Sequence, residues 1–235
     1  MALCAYGVGA LGLTGSAGSV IIGALMLLVP GLLFTNAMRD IIYGDTNSGV
    51  NRIVQVFLVA AALALGTAAG WKAASFLWGA PTDSYSLTPG FLMQNCACFA
   101  GCVGFAILFN IHEKGILFCA VGGVLTWSVY LLVIHFTGDD IAANFWASLF
   151  AGFYAEIMAR IRKKPAIAYL VVSIFPLLPG AGVYYTMNYA VRGQMGQFAQ
   201  TGMHTAAIAG IMAVGILLAS TTVRMTQVWK LQKKK

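Results

Sequence analysis

Long apolar runs, separated by short polar turns, fill almost the whole of this chain. Of its 235 residues, 60% are hydrophobic and only 9% are charged, whereas a soluble domain has about 25% charged residues. Runs of about 20 apolar residues predict membrane-spanning α-helices, because only helices and closed barrels satisfy every backbone polar group inside lipid. The expected fold is therefore all-α, a polytopic membrane protein with about 7–8 transmembrane helices.

The turns between the apolar runs set the expected spans. Residues 1–14 are apolar but too short to cross a bilayer, and a short helix over about 17–32 should follow them. Further spans are expected at about 50–76, 89–109, 115–136, 141–160, 165–180 and 203–223. The polar loop 79–88 acts as a linker between a partial first half-repeat, 1–78, and a second half-repeat of five spans, 89–235. An aspartate in the turn at 139–140 is well placed to cap the next helix.

One apolar run is interrupted at Pro30-Gly31. Proline removes a backbone donor and clashes with a continuing helix, so the helix should stop there and restart. The restarted segment carries Asn36, Arg39 and Asp40 at i, i+3 and i+4, which puts them on one helix face. A helix–loop–helix at the cytoplasmic membrane surface explains this pattern, and so does a broken helix beside a binding site.

The same order of features recurs at Pro179-Gly180, 149 residues further along the chain. Without a gap, this offset also aligns Leu28 with Leu177, Met38 with Met187, Gly44 with Gly193, Ala60 with Ala209, Ala64 with Ala213 and Gly66 with Gly215. A polar face again follows the break, formed by Tyr185, Asn188, Tyr189 and Arg192. Paired interrupted segments in two halves of a membrane protein point to a transport site between them.

Charge predicts the orientation of the chain in the membrane. The formal net charge is +7, and basic residues concentrate at 160–164 and in the C-terminal tail. The positive-inside rule places both clusters in the cytoplasm of a multi-pass protein of the cell membrane. Counting back from a cytoplasmic C-terminus puts Arg39 and Arg52 inside and leaves Lys72 and Arg192 as exceptions. The first break then faces the cytoplasm and the second faces the exterior, which predicts an inverted repeat.

Several classes of function are not expected. The basic residues fit membrane anchors, and no basic soluble face is present to bind nucleic acid. The cysteines are interpreted as small buried hydrophobic residues, and no metal site is expected. These are Cys4, Cys96, Cys98, Cys102 and Cys119. No Gly-Lys-Ser/Thr loop is present, so neither a nucleotide cofactor nor ATP-driven transport is expected. No serine, histidine and carboxylate share one depth, so an intramembrane enzyme is a weak alternative. The N-terminus lacks the basic region of a signal peptide.

Three polar residues lie inside apolar spans. Asn95 and Asn144 are expected to form hydrogen bonds between helices. Glu156 lies one helical turn before Arg160, and intramembrane carboxylates often carry protons. It is a candidate for proton coupling, and the alternative is a simple i, i+4 ion pair with Arg160.

The two breaks and their surroundings resemble the threonine/serine exporter family of membrane transporters. The first motif is LMLLVPGLLFTNAMRDIIYGDTNSG, residues 25–49. The second half carries an Ala-Arg-x-x-Lys/Arg-x-Pro-like turn, residues 159–165, followed by a Pro-Gly segment that includes Pro179-Gly180. The resemblance implies about ten spans in two halves, on one chain or on two. It also implies export of small amino acids or small carboxylates, without a cofactor.

Threonine and serine are zwitterions that carry a hydroxyl, so their site needs groups for all three functions. A helix that restarts after a break presents free N–H groups and a positive dipole end to a carboxylate. We expect the two broken segments to cradle the substrate, with one side supplied by Pro30, Gly31, Asn36, Arg39 and Asp40, and the other by Pro179, Gly180, Tyr185, Asn188 and Arg192. The alternative is that Arg39 and Asp40 form a structural ion pair at the membrane face.

The sequence favours a secondary exporter of threonine or serine, an antiporter driven by protons. Export of small dicarboxylates such as succinate is an alternative, because Arg39 and Arg192 could provide two cationic ends. A second alternative is a non-transporting membrane subunit that needs a partner. Two helices of the first half have no counterpart here, so the sequence is expected to be a fragment or to have a misassigned start, or else a homo-oligomer or a partner chain supplies these helices.

Overall fold

In the computed structural model, the residues described are 4, 23, 28–78, 90–112 and 114–232. Within them the chain forms eight α-helices and one short 3₁₀ helix, Phe175–Leu177, between the sixth and the seventh. The helices are α1 (Gly31–Ile42), α2 (Thr46–Trp78), α3 (Phe91–Leu108), α4 (Lys114–Thr137), α5 (Asp140–Arg162), α6 (Ala166–Ile174), α7 (Gly180–Val191) and α8 (Met195–Gln232).

The all-α polytopic fold is confirmed. Five helices in the described part of the chain are long and apolar enough to cross a membrane. A sixth span is obtained if the segments Ala166–Leu177 and Gly180–Val191, which meet at a bend of 50°, cross as one. The helices expected over 1–14 and 17–32 lie almost entirely outside the described residues. The division into half-repeats at 79–88 also stays a prediction.

Two details of the helix ends can be compared with the sequence. Asp139 caps α5 as expected, since its Oδ1 accepts a hydrogen bond from the backbone N–H of Ile141 at 3.0 Å. The span expected at 203–223 is wrong in its start, because α8 already begins at Met195. The polar residues Gln197, Gln200 and Thr201 marked a loop by composition, yet they continue the helix.

The described helices form two compact units. One unit contains the start of α1, α2, α7 and the start of α8, with the boundaries 1–37, 47–88 and 179–206. The other contains the end of α1, α3 to α6 and the rest of α8, with the boundaries 38–46, 89–178 and 207–235. They are called here the break unit and the bundle unit.

Small side chains let the helices of the bundle unit approach closely. Its core joins α3, α4, α5 and α6 through Cys102, Ala106, Cys119, Ala120, Ala155, Tyr169 and Val172. A Cβ added to Gly215 on α8 would overlap the hydroxyl of Ser148 on α5, so only glycine fits at that contact. Small residues at helix contacts are typical of membrane bundles, where dispersion contacts replace the hydrophobic effect as the main attraction.

The polar residues expected to join helices behave differently from one another. Asn95 accepts a hydrogen bond from Ser128 Oγ at 2.9 Å, which joins α3 to α4 as predicted. For Asn144 the prediction is wrong, because its Nδ2 donates to the backbone oxygen and the carboxylate of Asp140, one turn earlier on α5. The acceptors in the first turn of the same helix are nearer to this amide than any group on a neighbouring helix.

The expected burial of the cysteines is correct for only part of the set. Cys102 and Cys119 are buried, and Cys98 is half-buried. Cys4 and Cys96 are exposed, so the prediction is wrong for these two. On α3, Cys96 lies six residues before Cys102 and so on a different face of the helix from that core residue.

Two hairpins of the chain have the same design. In each, a glycine with positive φ lies two residues after the end of a 12-residue helix. A long helix begins two residues after that glycine. The glycines are Gly44 (φ 92°) and Gly193 (φ 73°). The closing bonds, N–H to O, are Gly44 to Ile41 and Asp45 to Asp40 (both 3.0 Å), and Gly193 to Ala190 (3.0 Å) and Gln194 to Tyr189 (2.9 Å). Both are Schellman motifs.

This correspondence holds at the offset of 149 residues read from the sequence. Both short helices, both glycines and the first residues of both long helices, Thr46 and Met195, are equivalent at that offset. The repeat is therefore present in the local structure of the two hairpins. The inverted orientation of the two halves in the membrane stays a prediction.

We expect Gly44→Ala and Gly193→Ala each to lower the free energy of unfolding by about 1–2 kcal/mol, because a Cβ is strained in the left-handed region. Gly66→Ala in the middle of α2 is the matched control. No atom lies within 4 Å of its added Cβ, and Ala is the better helix former by about 0.5–1 kcal/mol. Unfolding in detergent, followed by circular dichroism, measures the difference. Equal free energies of unfolding for all three variants would contradict the left-handed backbone conformation at Gly44 and Gly193.

Candidate functional site

The second break is formed by two prolines in a short stretch. α6 has only nine residues, about 14 Å of helix at 1.5 Å per residue. The 3₁₀ helix that follows contains Pro176, and α7 begins directly after Pro179. Neither proline has an N–H to continue the hydrogen-bond ladder, which explains the 50° bend between the two segments. The break predicted at Pro179-Gly180 is confirmed.

The first break has the same geometry on its C-terminal side. α1 begins at Gly31, directly after Pro30. The carbonyl of Pro30 accepts a hydrogen bond from Phe34 N–H at 2.9 Å, and the carbonyl of Pro179 accepts one from Val183 N–H at 3.1 Å. The two short helices therefore start on equivalent residues and on equivalent hydrogen bonds.

The two short helices also bury the same face. In α1 the buried residues are Gly31, Phe34, Thr35 and Ala37. In α7 they are Gly180, Val183, Tyr184 and Thr186, together with Asn188. The first four of these are equivalent to the α1 set at the offset of 149. The repeat therefore extends from the turns to the way each short helix packs.

The two breaks adjoin each other within the break unit. A Cβ built on Gly180 would lie 3.3 Å from Cγ1 and 3.7 Å from Cβ of Val29, the residue before Pro30. Val29 and Met187 also pack against a small core formed by Ala64 of α2 and Tyr184 of α7. The start of α7 therefore lies beside Val29, two residues before the start of α1. The hypothesis that the two broken segments bind one substrate needs such a contact.

A buried hydroxyl pair lies one helical turn from this junction. Thr67 Oγ1 on α2 and the Tyr184 hydroxyl on α7 are 2.9 Å apart. The hydroxyl of Thr67 donates a hydrogen bond to the carbonyl of Leu63 on its own helix, at 2.9 Å. Because that hydroxyl has only one proton, Tyr184 is the donor in the pair with Thr67. The sequence hypothesis chose Tyr185 and missed this pair. The signal was the position of Tyr184, one turn after Gly180 and on the side of α7 that carries Gly180.

Three of the predicted site residues lie in the middle of the short helices. Asn36 is half-buried, Asn188 is 9% exposed and Tyr185 is 37% exposed. Asn36 and Tyr185 are equivalent at the offset of 149, five residues after Gly31 and Gly180. They are about 7.5 Å along each helix axis from its first residue, within reach of a ligand on the first turn.

The charged residues of the predicted site lie farther along. Arg39 and Asp40 are half-buried near the end of α1, and Arg192 is exposed at the C-cap of α7. Arg192 is about 18 Å along the axis from Gly180. A cation near a helix C-terminus is stabilised by the helix dipole. The first turn of α7 and Arg192 therefore lie at opposite ends of the same helix.

Glu156 lies at the C-terminal part of α5. Its carboxylate lies 3.5 Å from the guanidinium of Arg160, with 20% of the Glu156 side chain and 41% of the Arg160 side chain exposed. The i, i+4 ion pair considered in the sequence analysis is therefore present. Its presence does not test a role in proton transfer, because an ion pair can also hold a carboxylate that releases its proton.

Comparison with known proteins places these motifs in a family. A family model described as "Threonine/Serine exporter, ThrE" matches residues 94–222, more than half of the chain. This chain belongs to the threonine/serine exporter family. A second model for threonine/serine exporters matches residues 1–74, which include the first break. The exporter family was recognised from the same residues in the sequence, and that resemblance is confirmed.

Other comparisons add less. A protein of Haemophilus influenzae, described only as uncharacterized, is 29% identical over 85 residues. The match covers 36% of this exporter-family chain and 29% of that protein, so the chain spans less than a third of the length of this curated relative. No solved structure matches the chain.

The contact between the two breaks can be tested by cross-linking. We expect Val29→Cys with Gly180→Cys to form a disulfide, because the 3.7 Å between the Cβ positions lies in the range of about 3.5–4.5 Å found in disulfides. The native cysteines are replaced by alanine, and a protease site is placed between residues 79 and 88. After cleavage, the two fragments should stay joined on a non-reducing gel.

Val29→Cys with Gly193→Cys is the matched control, since Gly193 is about 20 Å along the chain axis of α7 from Gly180. The fragments of this control should separate. Separation of the fragments in the Val29/Gly180 variant under the same oxidant would show that the breaks do not adjoin.

Proposed function

We propose that this chain is a secondary-active exporter of threonine and serine. The observation that supports this most is the junction of the breaks, where Gly180 adjoins Val29 and two equivalent helices begin. Membership of the exporter family fits the same conclusion. The proposal includes a location in the cell membrane and a cytoplasmic C-terminus. It also includes assembly as a homo-oligomer or with a partner chain.

The junction offers groups for each part of a hydroxylated amino acid. The first turns of α1 and α7 provide N–H groups and the positive dipole ends for the carboxylate. The oxygen atoms of Asn36, Asn188 and Tyr185 are acceptors for the ammonium group. The phenolic oxygen of Tyr184 has lone pairs left after it donates to Thr67, and these can accept from the substrate hydroxyl.

In this proposal Arg39, Asp40 and Arg192 act outside the central cradle. They lie near the C-terminal ends of α1 and α7, where they are suited to attract the substrate and to guide it toward the breaks. Retained export by Asp40→Asn would favour a structural role for Arg39 and Asp40. Loss of export with normal folding would favour a role in the transport path.

Transport in proteoliposomes that contain only this chain tests the proposal. We expect an imposed pH gradient to drive flux of labelled threonine or serine, and Asn188→Ala to reduce it at least tenfold, the effect of losing about 1.4 kcal/mol of binding. Asn95→Ala is the matched control, since this asparagine bonds Ser128 outside the break unit.

The substrate class can be read from the same assay. Flux of labelled succinate is measured in parallel. If only succinate is transported, the substrate class is a dicarboxylate and not an amino acid. No flux of any of the three compounds from folded protein would contradict a transporter formed by this chain alone and would favour a subunit of a larger assembly.

We further propose that Glu156 couples export to protons. It is a half-buried carboxylate in a candidate span, and Arg160 can stabilise it when it is ionised. Glu156→Gln should abolish the dependence of flux on the pH gradient while downhill exchange of substrate continues. Arg160→Gln removes the ion pair but keeps the carboxylate, so it should remain gradient-dependent. Unchanged gradient dependence in Glu156→Gln would exclude this role.

A further inference from the structure

The bundle unit contains a cavity that the transport proposal does not use. Its volume is about 460 Å³, in the range of about 300–1,000 Å³ typical of small-molecule sites. It is lined by Gln94, Ala97, Cys98, Trp127 and Pro176. These residues come from α3, α4 and the 3₁₀ helix that precedes the second break.

The walls of this cavity are held in place by contacts beside it. Asn95 and Ser128, the neighbours of Gln94 and Trp127 in sequence, form the hydrogen bond that joins α3 to α4. The Trp127 ring stacks on Tyr130, with ring centroids 4.8 Å apart and planes 19° apart. The Tyr130 hydroxyl in turn donates to Asp140 at 2.9 Å. The cavity is therefore an open recess whose walls, on α3 and α4, are joined by a hydrogen bond.

The chemistry of the lining excludes a zwitterion. None of the five lining side chains is charged, so a free carboxylate or ammonium would lose its hydration there without an ionic partner. The lining is instead dominated by the indole ring, a thiol, a proline ring and a methyl group. Such a surface suits an apolar occupant.

The position of the cavity in the membrane identifies that occupant. Both α3 and α4 are candidate spans. The large apolar residues next to Gln94 on α3, namely Phe91, Leu92 and Met93, are exposed on the protein surface. We therefore expect a cavity beside such residues in a candidate span to face the acyl chains of the bilayer rather than water.

We propose that this cavity binds an acyl chain of a membrane lipid. The bound chain would contact both Trp127 and Pro176, which line the cavity. Pro176 lies three residues before Pro179, in the 3₁₀ helix that leads into α7. The occupant therefore packs against the 3₁₀ helix that precedes the second break.

Fluorescence quenching in bilayers tests this site directly. A protein with Trp127 as its only tryptophan is prepared by replacing Trp71, Trp78, Trp146 and Trp229 with phenylalanine. It is reconstituted in phosphatidylcholine with increasing fractions of a lipid brominated on the acyl chain. We expect strong quenching that rises linearly with the brominated fraction, since one chain occupies one cavity.

The matched control retains only Trp146, which is 52% exposed on α5 and does not line the cavity. Several exchanging lipids contact an open surface of this kind, so its quenching should curve with the brominated fraction. Ala97→Leu fills the cavity from an exposed position on α3. It should remove most of the Trp127 quenching and leave the Trp146 curve unchanged.

Three results would overturn the proposal. Quenching of Trp127 by aqueous iodide but not by brominated lipid would show a water-filled cavity. Resistance to both quenchers would show that protein closes it, from a second copy or another segment. Undiminished quenching in Ala97→Leu, or a Trp127 curve identical in shape to that of Trp146, would show ordinary surface lipid contact. None of these readouts depends on transport, so the test is independent of the proposed exporter activity.

Discussion

Inside a membrane each backbone polar group must find a partner in the protein, and the two prolines at positions 30 and 179 work against this requirement. A helix begins directly after each proline, in the middle of apolar sequence, and neither proline has an N–H to donate. The two breaks lie beside each other, since a Cβ built on Gly180 would lie 3.3 Å from Cγ1 of Val29. Irregular backbone at membrane depth is tolerated where protein or a water-filled cavity surrounds it. The packing of the break unit follows from this requirement.

The same requirement explains why the hairpins repeat so closely. A helix end leaves carbonyl groups that need donors. The Schellman turns at Gly44 and Gly193 supply those donors within three residues of the helix end. A glycine in the left-handed region is the ordinary way to make that turn.

The sequence predicted the features that depend on local chemistry. The break at Pro179-Gly180, the start of α1 after Pro30, the cap at Asp139, the offset of 149 and most spans in the described residues follow from residues that are close in the chain. The features it did not predict depend on which helices meet. Tyr184 and Thr67 are far apart in sequence, and only packing of α7 on α2 selects Tyr184 over Tyr185. The partner of Asn144 was missed because a carbonyl on the same helix competes with every other acceptor.

The short links in the two hairpins have a mechanical consequence. Three residues separate α1 from α2, and three separate α7 from α8. Each link is closed by two hydrogen bonds, so it has little freedom to absorb a rotation. A tilt of a short helix about its break must therefore be passed on to the first turns of the long helix that follows. Each short helix is therefore expected to move together with the start of the long helix that follows it.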